Sequence, residues 1–168
     1  MKENQKKIAG YVFFGLAAVA LVLIIVGLCV PNVVGEVTVL GQSTKYSYTL
    51  FDDKWEAATK MYNASPTVSI IGFVIAIVGA AALVTYFVLK LFLNKNIKII
   101  GLLAAIVTLV GGIVAFVGAA IVAGKLNTGN GTIGNLQIYD PAVGAILGLV
   151  GGVLAVIAGG LATSKKFN

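Results

Sequence analysis

Four long apolar stretches, at residues 8–30, 66–93, 99–123 and 141–163, alternate with short polar ones. Each is long enough to cross a hydrocarbon core of roughly 30 Å as a helix. The last shows the design most plainly: Asp140-Pro141 precedes it and Lys165 and Lys166 close it. The pattern predicts an all-α membrane protein. The expected architecture is an antiparallel four-helix transmembrane bundle with a small extracytoplasmic β-hairpin or sheet and a short helix. One domain is expected over residues 1–168, with outer loops at 31–65 and 124–140.

The polar segments carry their own signals. Val37 and Val39 alternate with Glu36 and Thr38, and Tyr46, Tyr48 and Leu50 alternate with Lys45, Ser47 and Thr49. Period-two alternation on either side of Gly41-Gln42-Ser43-Thr44 predicts a hairpin with a four-residue connection. Asp53 followed by Glu56 fits a capping box, and Trp55, Ala58 and Tyr62 then share one helix face. Ser65-Pro66 and Asp140-Pro141 both read as an N-cap followed by proline at the first helical position. Leu136 and Ile138 alternate with Gln137 and Tyr139, a strand that can join the hairpin, and residues 127–131 have turn chemistry. The short link Asn94–Lys98 makes the second and third spans antiparallel neighbours.

Inside the apolar stretches, small residues recur at helical spacing. Gly72, Ala76 and Ala80 form one such face, and Gly111, Ala115 and Ala119 a second. Gly144, Gly148 and Gly152 form a third, beside Gly151, Ala155 and Gly159. Small residues at that spacing let a second helix approach until the backbones nearly touch. These nine positions of the three main faces are the candidate packing residues.

Composition agrees with the pattern. The chain has 168 residues, 59% of them hydrophobic and only 11% charged, with mean hydropathy +1.02. A soluble domain of this size could not cover so much apolar surface. All 12 cationic side chains are lysine and histidine is absent, a usage that points to an AT-rich bacterial genome. The net charge of +6 invites a nucleic-acid reading, but its placement argues against one. Lys2, Lys6, Lys7, Lys90, Lys95, Lys98, Lys165 and Lys166 flank the spans on one side, opposed only by Glu3. Lys45, Lys54, Lys60 and Lys125 share the other side with all five remaining acids. The positive-inside rule then predicts a multi-pass protein of the cell membrane with both termini and the 94–98 turn cytoplasmic. Tyr11, Phe13 and Phe14 are expected in the cytoplasmic interface belt, and Lys90 is expected to snorkel to the headgroups.

Candidate chemistry is sparse. The first stretch is too long for a signal peptide, and Leu28 stands where a lipoprotein site needs a small residue before Cys29. Cys29 itself reads as a packing residue. Without histidine there is no Ser-His or Cys-His pair and no imidazole metal site. Ser43 and Lys45 read as a solvated loop, and Asp52, Asp53 and Glu56 as a helix start rather than a calcium loop. No glycine-rich phosphate loop follows a strand. Asn130-Gly131-Thr132 is a formal glycosylation sequon. The spans hold no carboxylate, which ion-coupled transporters usually keep; Thr85 and Thr108 are the main polar groups at depth. The expectation is a protein that is not an enzyme and uses no cofactor or metal. Tyr46, Tyr48, Phe51, Trp55, Tyr62 and Tyr139 crowd the two outer loops and form the candidate contact surface.

The order of parts resembles the claudin-like tetraspan membrane proteins: a short inner N-terminus, a first outer loop of strands then helix, a brief inner turn and a smaller second outer loop. The likeness is one of layout and covers the whole chain. That family's outer tryptophan–GLW–paired-cysteine signature is not present, since Trp55 follows the hairpin and Cys29 is the sole cysteine. No site residue is carried over. The resemblance implies a bundle that associates laterally and presents a small sheet outside. The expected function is therefore a membrane scaffold or assembly protein. Its partners would be the lipid bilayer and itself or another membrane protein, with no nucleic acid. A channel subunit using Thr85, Thr108 or backbone, and an accessory to small-molecule or lipid transport, are the alternatives.

Overall fold

The computed structural model describes residues 2–127 and 135–164, with the side chains of 135–137 left aside. The elements in order are α1 (Glu3–Cys29), β1 (Val33–Val39), β2 (Gln42–Tyr48), α2 (Lys54–Tyr62), α3 (Thr67–Phe92), α4 (Lys98–Leu126), β3 (Asn135–Pro141) and α5 (Val143–Thr163). The four long helices, of 27, 26, 29 and 21 residues, are each long and apolar enough to cross a membrane. They pack in the cyclic order α1, α3, α4, α5, with α3 against α4 the most extensive contact. A three-stranded sheet of order β2-β1-β3 and the short helix α2 sit at one end of this bundle. The other end carries Lys6, Lys7 and Lys90, whereas Lys125 in the last turn of α4 lies at the sheet end. The predicted helices, hairpin and joining strand are all present.

The boundaries differ from the expectation in instructive ways. Helix α1 begins at Glu3 rather than residue 8, because its polar first turn is held by a Lys7–Glu3 ion pair of 3.5 Å and by the Gln5 side chain accepting the Lys2 amide. The hairpin turn is two residues, not four. Leu40 and Gly41 both take positive φ (51° and 81°), so Val39 pairs directly with Gln42 and residues 42–44 belong to β2. Positive φ at both central positions is the geometry whose twist matches the strands. Asp53 precedes α2 but makes no capping bond; Asp52 accepts the Lys54 amide instead, and Glu56 pairs with Lys60 at 2.6 Å. Asp140-Pro141 does not start α5. Both residues end β3, paired with Val34 and Val33, and Ala142 is the residue before the helix. Ser65-Pro66 is displaced by one: Pro66 caps α3 and Thr67 opens it.

Glycine lets the helices meet backbone to backbone. A Cβ placed on Gly72 would run into the Ala115 amide and one on Gly111 into the Ala76 amide, both closer than real Cβ contacts ever come. Farther along, Gly79 faces Thr108, and Gly118 faces Ser69, where an added Cβ would stand 2.5 Å from the Ser69 amide nitrogen. Rising numbers in α3 thus meet falling numbers in α4. Ser69 adds a bond across the pair, donating its hydroxyl to the Ala115 carbonyl at 3.0 Å. Approach this close gains dispersion contacts along the whole backbone while immobilising almost no side chain.

Two expectations at the lysine end change. Phe13 is buried in the bundle core with Tyr86 and Phe87, while Tyr11 alone of the first aromatic group is well exposed. Lys90 turns inward: its Nζ donates to the Ala162 carbonyl of α5 at 2.8 Å and lies 5.9 Å from the centre of the Tyr86 ring. An ammonium close to a helix C-terminus is favoured by the helix dipole, which explains the preference.

Candidate functional site

The nine small residues are buried within the chain, those of α3 and α4 against each other and those of α5 against other neighbours. Gly72, Ala76 and Ala80 of α3 are buried, and Gly111, Ala115 and Ala119 of α4 are buried with them. The three glycines of α5 do not share one partner. Gly144 abuts the Gly27 carbonyl and Asn32, Gly148 the Phe73 ring, and Gly152 the backbone at Thr108 and Leu109. On the neighbouring stripe, Gly151 meets Ile24 of α1 and Gly159 meets Ala105 of α4. These faces are occupied inside the bundle. Cys29, expected in the packing, is exposed instead. The two candidate pore hydroxyls are bonded to their own helices: Thr108, buried, donates to Ala104 O at 2.7 Å, and Thr85, exposed, donates to Ala81 O at 2.9 Å.

The six aromatics of the candidate contact surface divide. Tyr48, Trp55 and Tyr139 are buried, so they are the core of the sheet-end cap and not its surface. Tyr48 stacks on Trp55 with ring centroids 4.7 Å apart and meets Tyr139 at 6.2 Å. Trp55 Nε1 donates to the Thr49 carbonyl at 2.6 Å, so its one polar atom is satisfied. Tyr62 is half-buried beside them. Only Tyr46 and Phe51 are exposed, Phe51 at 69%. The split follows from cover: Tyr46, paired with Gly35, lies on the same sheet face as Tyr48 and Tyr139 but is left exposed. Tyr48 pairs with Val33 and Tyr139 with Gly35, on the face turned toward α2 and the ends of α4 and α5. Gly35 must lack a side chain, because a Cβ there would enter the Tyr139 ring. Burial pushes the Tyr48 and Tyr139 phenols up from the ordinary value near 10, and for Tyr139 the neighbouring Tyr48 adds to the rise.

Two asparagines that the sequence did not flag organise the cap. The Asn127 side chain clamps the outer edge of β3, accepting the Tyr139 amide at 2.7 Å and donating to the Tyr139 carbonyl at 3.0 Å. A carboxamide carries the same acceptor and donor as a strand backbone, so it can close a sheet edge. Asn32, fully buried after Pro31, joins α1, the sheet and α5. Its Nδ2 donates to Gly27 and Val30 carbonyls, its amide to Tyr48 and its carbonyl accepts from Ala142. The position directly after a helix-ending proline was the one available signal.

The opposite edge of the sheet is different. Every residue of β2 except Tyr48 is exposed. Between the hairpin and α2 runs a groove of about 420 Å³ lined by Val37, Tyr46, Lys54, Ala57, Met61 and Tyr62. The other face of the sheet carries Val34, Glu36, Lys45, Ser47, Ile138 and Asp140 around a shallow depression of about 470 Å³. Among the described residues no three of His, Cys, Asp and Glu gather into a metal-binding group. The Asn130 sequon, the 128–131 part of the turn, Lys165 and Lys166 lie outside the described residues. Comparison of the chain with protein-family models and with curated proteins gives no match.

Proposed function

We propose that the protein is a non-enzymatic, multi-pass membrane scaffold. In this reading four antiparallel spans, with both termini and the 94–98 turn cytoplasmic, hold the sheet and α2 outside the bilayer. The cap is what a second copy or another membrane protein touches. The opposed numbering along α3 and α4 and the grouping of lysines at the end away from the sheet support the topology. Lateral association is also what the claudin-like layout implies.

One observation carries the assignment of the contact surface: the sheet has one closed edge and one open edge. Asn127 and α4 cover β3, whereas β2 stands exposed beside the Tyr46–Met61 groove. An open strand edge offers main-chain hydrogen bonds to a partner, and adjacent side-chain pockets give selectivity. The small-residue faces, by contrast, are already filled, so association through them is not part of the proposal.

Mass measurement of the full chain in native nanodiscs is expected to return a complex. Tyr46→Lys with Met61→Lys should weaken the association constant by about thirtyfold or more, since two contact positions at more than about 1 kcal/mol each are removed. A strict monomer with no co-retained membrane protein overturns the reading. Labelling of an N-terminal tag by an impermeant reagent on intact cells overturns the topology.

A further inference from the structure

At the lysine end, between the start of α1 and the end of α3, lies a groove of about 540 Å³. Gly10 and Leu91 are part of its lining, and a Cβ on Gly10 would come within 2.9 Å of the Leu91 side chain. Among the described residues, three ammonium groups, of Lys6, Lys7 and Lys90, line it against one carboxylate, Glu3, which pairs with Lys7 at 3.5 Å. The groove is therefore net cationic. Lys90 is not a mobile surface lysine: Ala162 O and the Tyr86 ring fix it, and one ammonium proton is engaged out of three. Tyr86 in turn donates to Asn96 Oδ1 at 3.2 Å, and Asn96 and Asn94 contribute neutral polar groups to the groove wall. Tyr11 completes the rim with an exposed ring, and the exposed side chains of Ile8 and Val12, four residues apart, share a face of the same helix beside it.

We propose that this groove binds the phosphate headgroup of an anionic phospholipid. The inference rests on the four helices spanning a bilayer, as proposed above, but not on the scaffold role. Cationic pockets between helices at a membrane boundary recognise phosphate headgroups, and phosphate accepts several hydrogen bonds at once from clustered lysines and amides. The apolar flank decides for a lipid over a free anion. Ile8 and Val12 are open on the same helix that supplies Lys6 and Lys7, so a bound headgroup can lay its chains along α1.

The test is native mass spectrometry of the full chain released from micelles that contain phosphatidylglycerol and phosphatidylcholine in equal amounts. The wild-type chain should retain phosphatidylglycerol preferentially. Lys6→Gln and Lys7→Gln should each reduce that retention roughly fivefold, as expected for one lysine at an anionic surface. Lys90→Gln should do the same, with Lys90→Arg restoring it. Because Lys90 also braces α5, Lys6→Gln and Lys7→Gln, which leave that contact intact, carry the test if Lys90→Gln fails to fold. Lys45→Gln and Lys60→Gln at the sheet end should leave retention unchanged. Equal retention of the two lipids by the wild-type chain overturns the proposal, as does a preference that survives neutralising Lys6 and Lys7. Displacement of the lipid by an equal concentration of inorganic phosphate also overturns it, assigning the groove to a free anion. A chain that never enters micelles or vesicles refutes the membrane reading instead, and a monomer that still selects phosphatidylglycerol refutes only the scaffold role.

Discussion

The bundle and the cap are built from different alphabets. Where α3 crosses α4 the contact is made by Gly72, Ala76, Gly111, Ala115 and the backbone itself. Where the sheet meets α2 and the helix ends, it is made by the rings of Tyr48, Trp55 and Tyr139. On the proposed membrane reading, the change follows from solvent. Between helices in lipid, burying a large apolar side chain gains little, since lipid tails are equally apolar, and the gain comes from close backbone approach. In water the apolar area itself drives burial, and aromatic rings bring 150–250 Å² each on the order of what a small cap needs. A lone hairpin is marginal in water, and the cap escapes that limit by a third strand, α2 and this ring cluster.

The strongest way to break the contrast is to remove the central ring. Trp55→Ala should cost the cap roughly 3–5 kcal/mol, the usual range for emptying a buried aromatic site, and strand Tyr48 without its stacking partner. The expected outcome is a cap that melts first while the helical circular dichroism of the bundle persists to near the wild-type temperature. Loss of both signals together would mean that cap and bundle are one cooperative unit.

That division was only half legible in the chain. The four helices announced themselves through length and hydropathy, and the spacing of Gly111, Ala115 and Ala119 marked a packing face. What the spacing cannot carry is the identity of the partner. Gly144, Gly148 and Gly152 look like one stripe for one neighbour, yet they meet α1, α3 and α4 in turn. The outer aromatics posed the same difficulty in the sheet. Tyr46 and Tyr48 share a strand face by alternation, and only α2 and the helix ends, which cover Tyr48 and stop short of Tyr46, separate core from surface. Asp140-Pro141 failed for a related reason. Asp-Pro serves a strand end as well as a helix start, and the pairing with Val33 and Val34 that decides between them lies about a hundred residues away.

The bundle half of the contrast is sharpened by two glycines that look alike in sequence. Gly72→Leu forces a side chain into the Ala115 backbone, which cannot move aside as a side-chain tip would. A loss of roughly 3 kcal/mol or more is expected, at or beyond the upper end for overpacking, read as a lowered midpoint of thermal unfolding in micelles. Gly15 has nothing within 4 Å of where its Cβ would stand. Gly15→Ala should therefore stabilise α1 by about 0.5–1 kcal/mol through helix propensity alone. Equal responses at the two positions would show that the α3–α4 contact is looser than described.

The smallest effect concerns pH and touches the cap alone. Burial holds the Tyr48 and Tyr139 phenols neutral beyond the ordinary value near 10. A folded cap therefore keeps protons that an unfolded cap releases once the pH passes that value. The unfolded state gains from ionisation and the folded state does not, so cap stability is intact below about pH 10 and declines as pH rises above it. Trp55, the chain's single tryptophan, reports this directly because its ring lies on Tyr48. Its emission should be constant from neutral pH to about 10 and then shift as the cap opens. Tyr48→Phe should flatten the alkaline limb by removing one of the two titrating groups while keeping most of the stacking area. A limb that is unchanged in Tyr48→Phe would place the alkaline sensitivity elsewhere and leave ring packing, without phenol burial, as the whole basis of the cap.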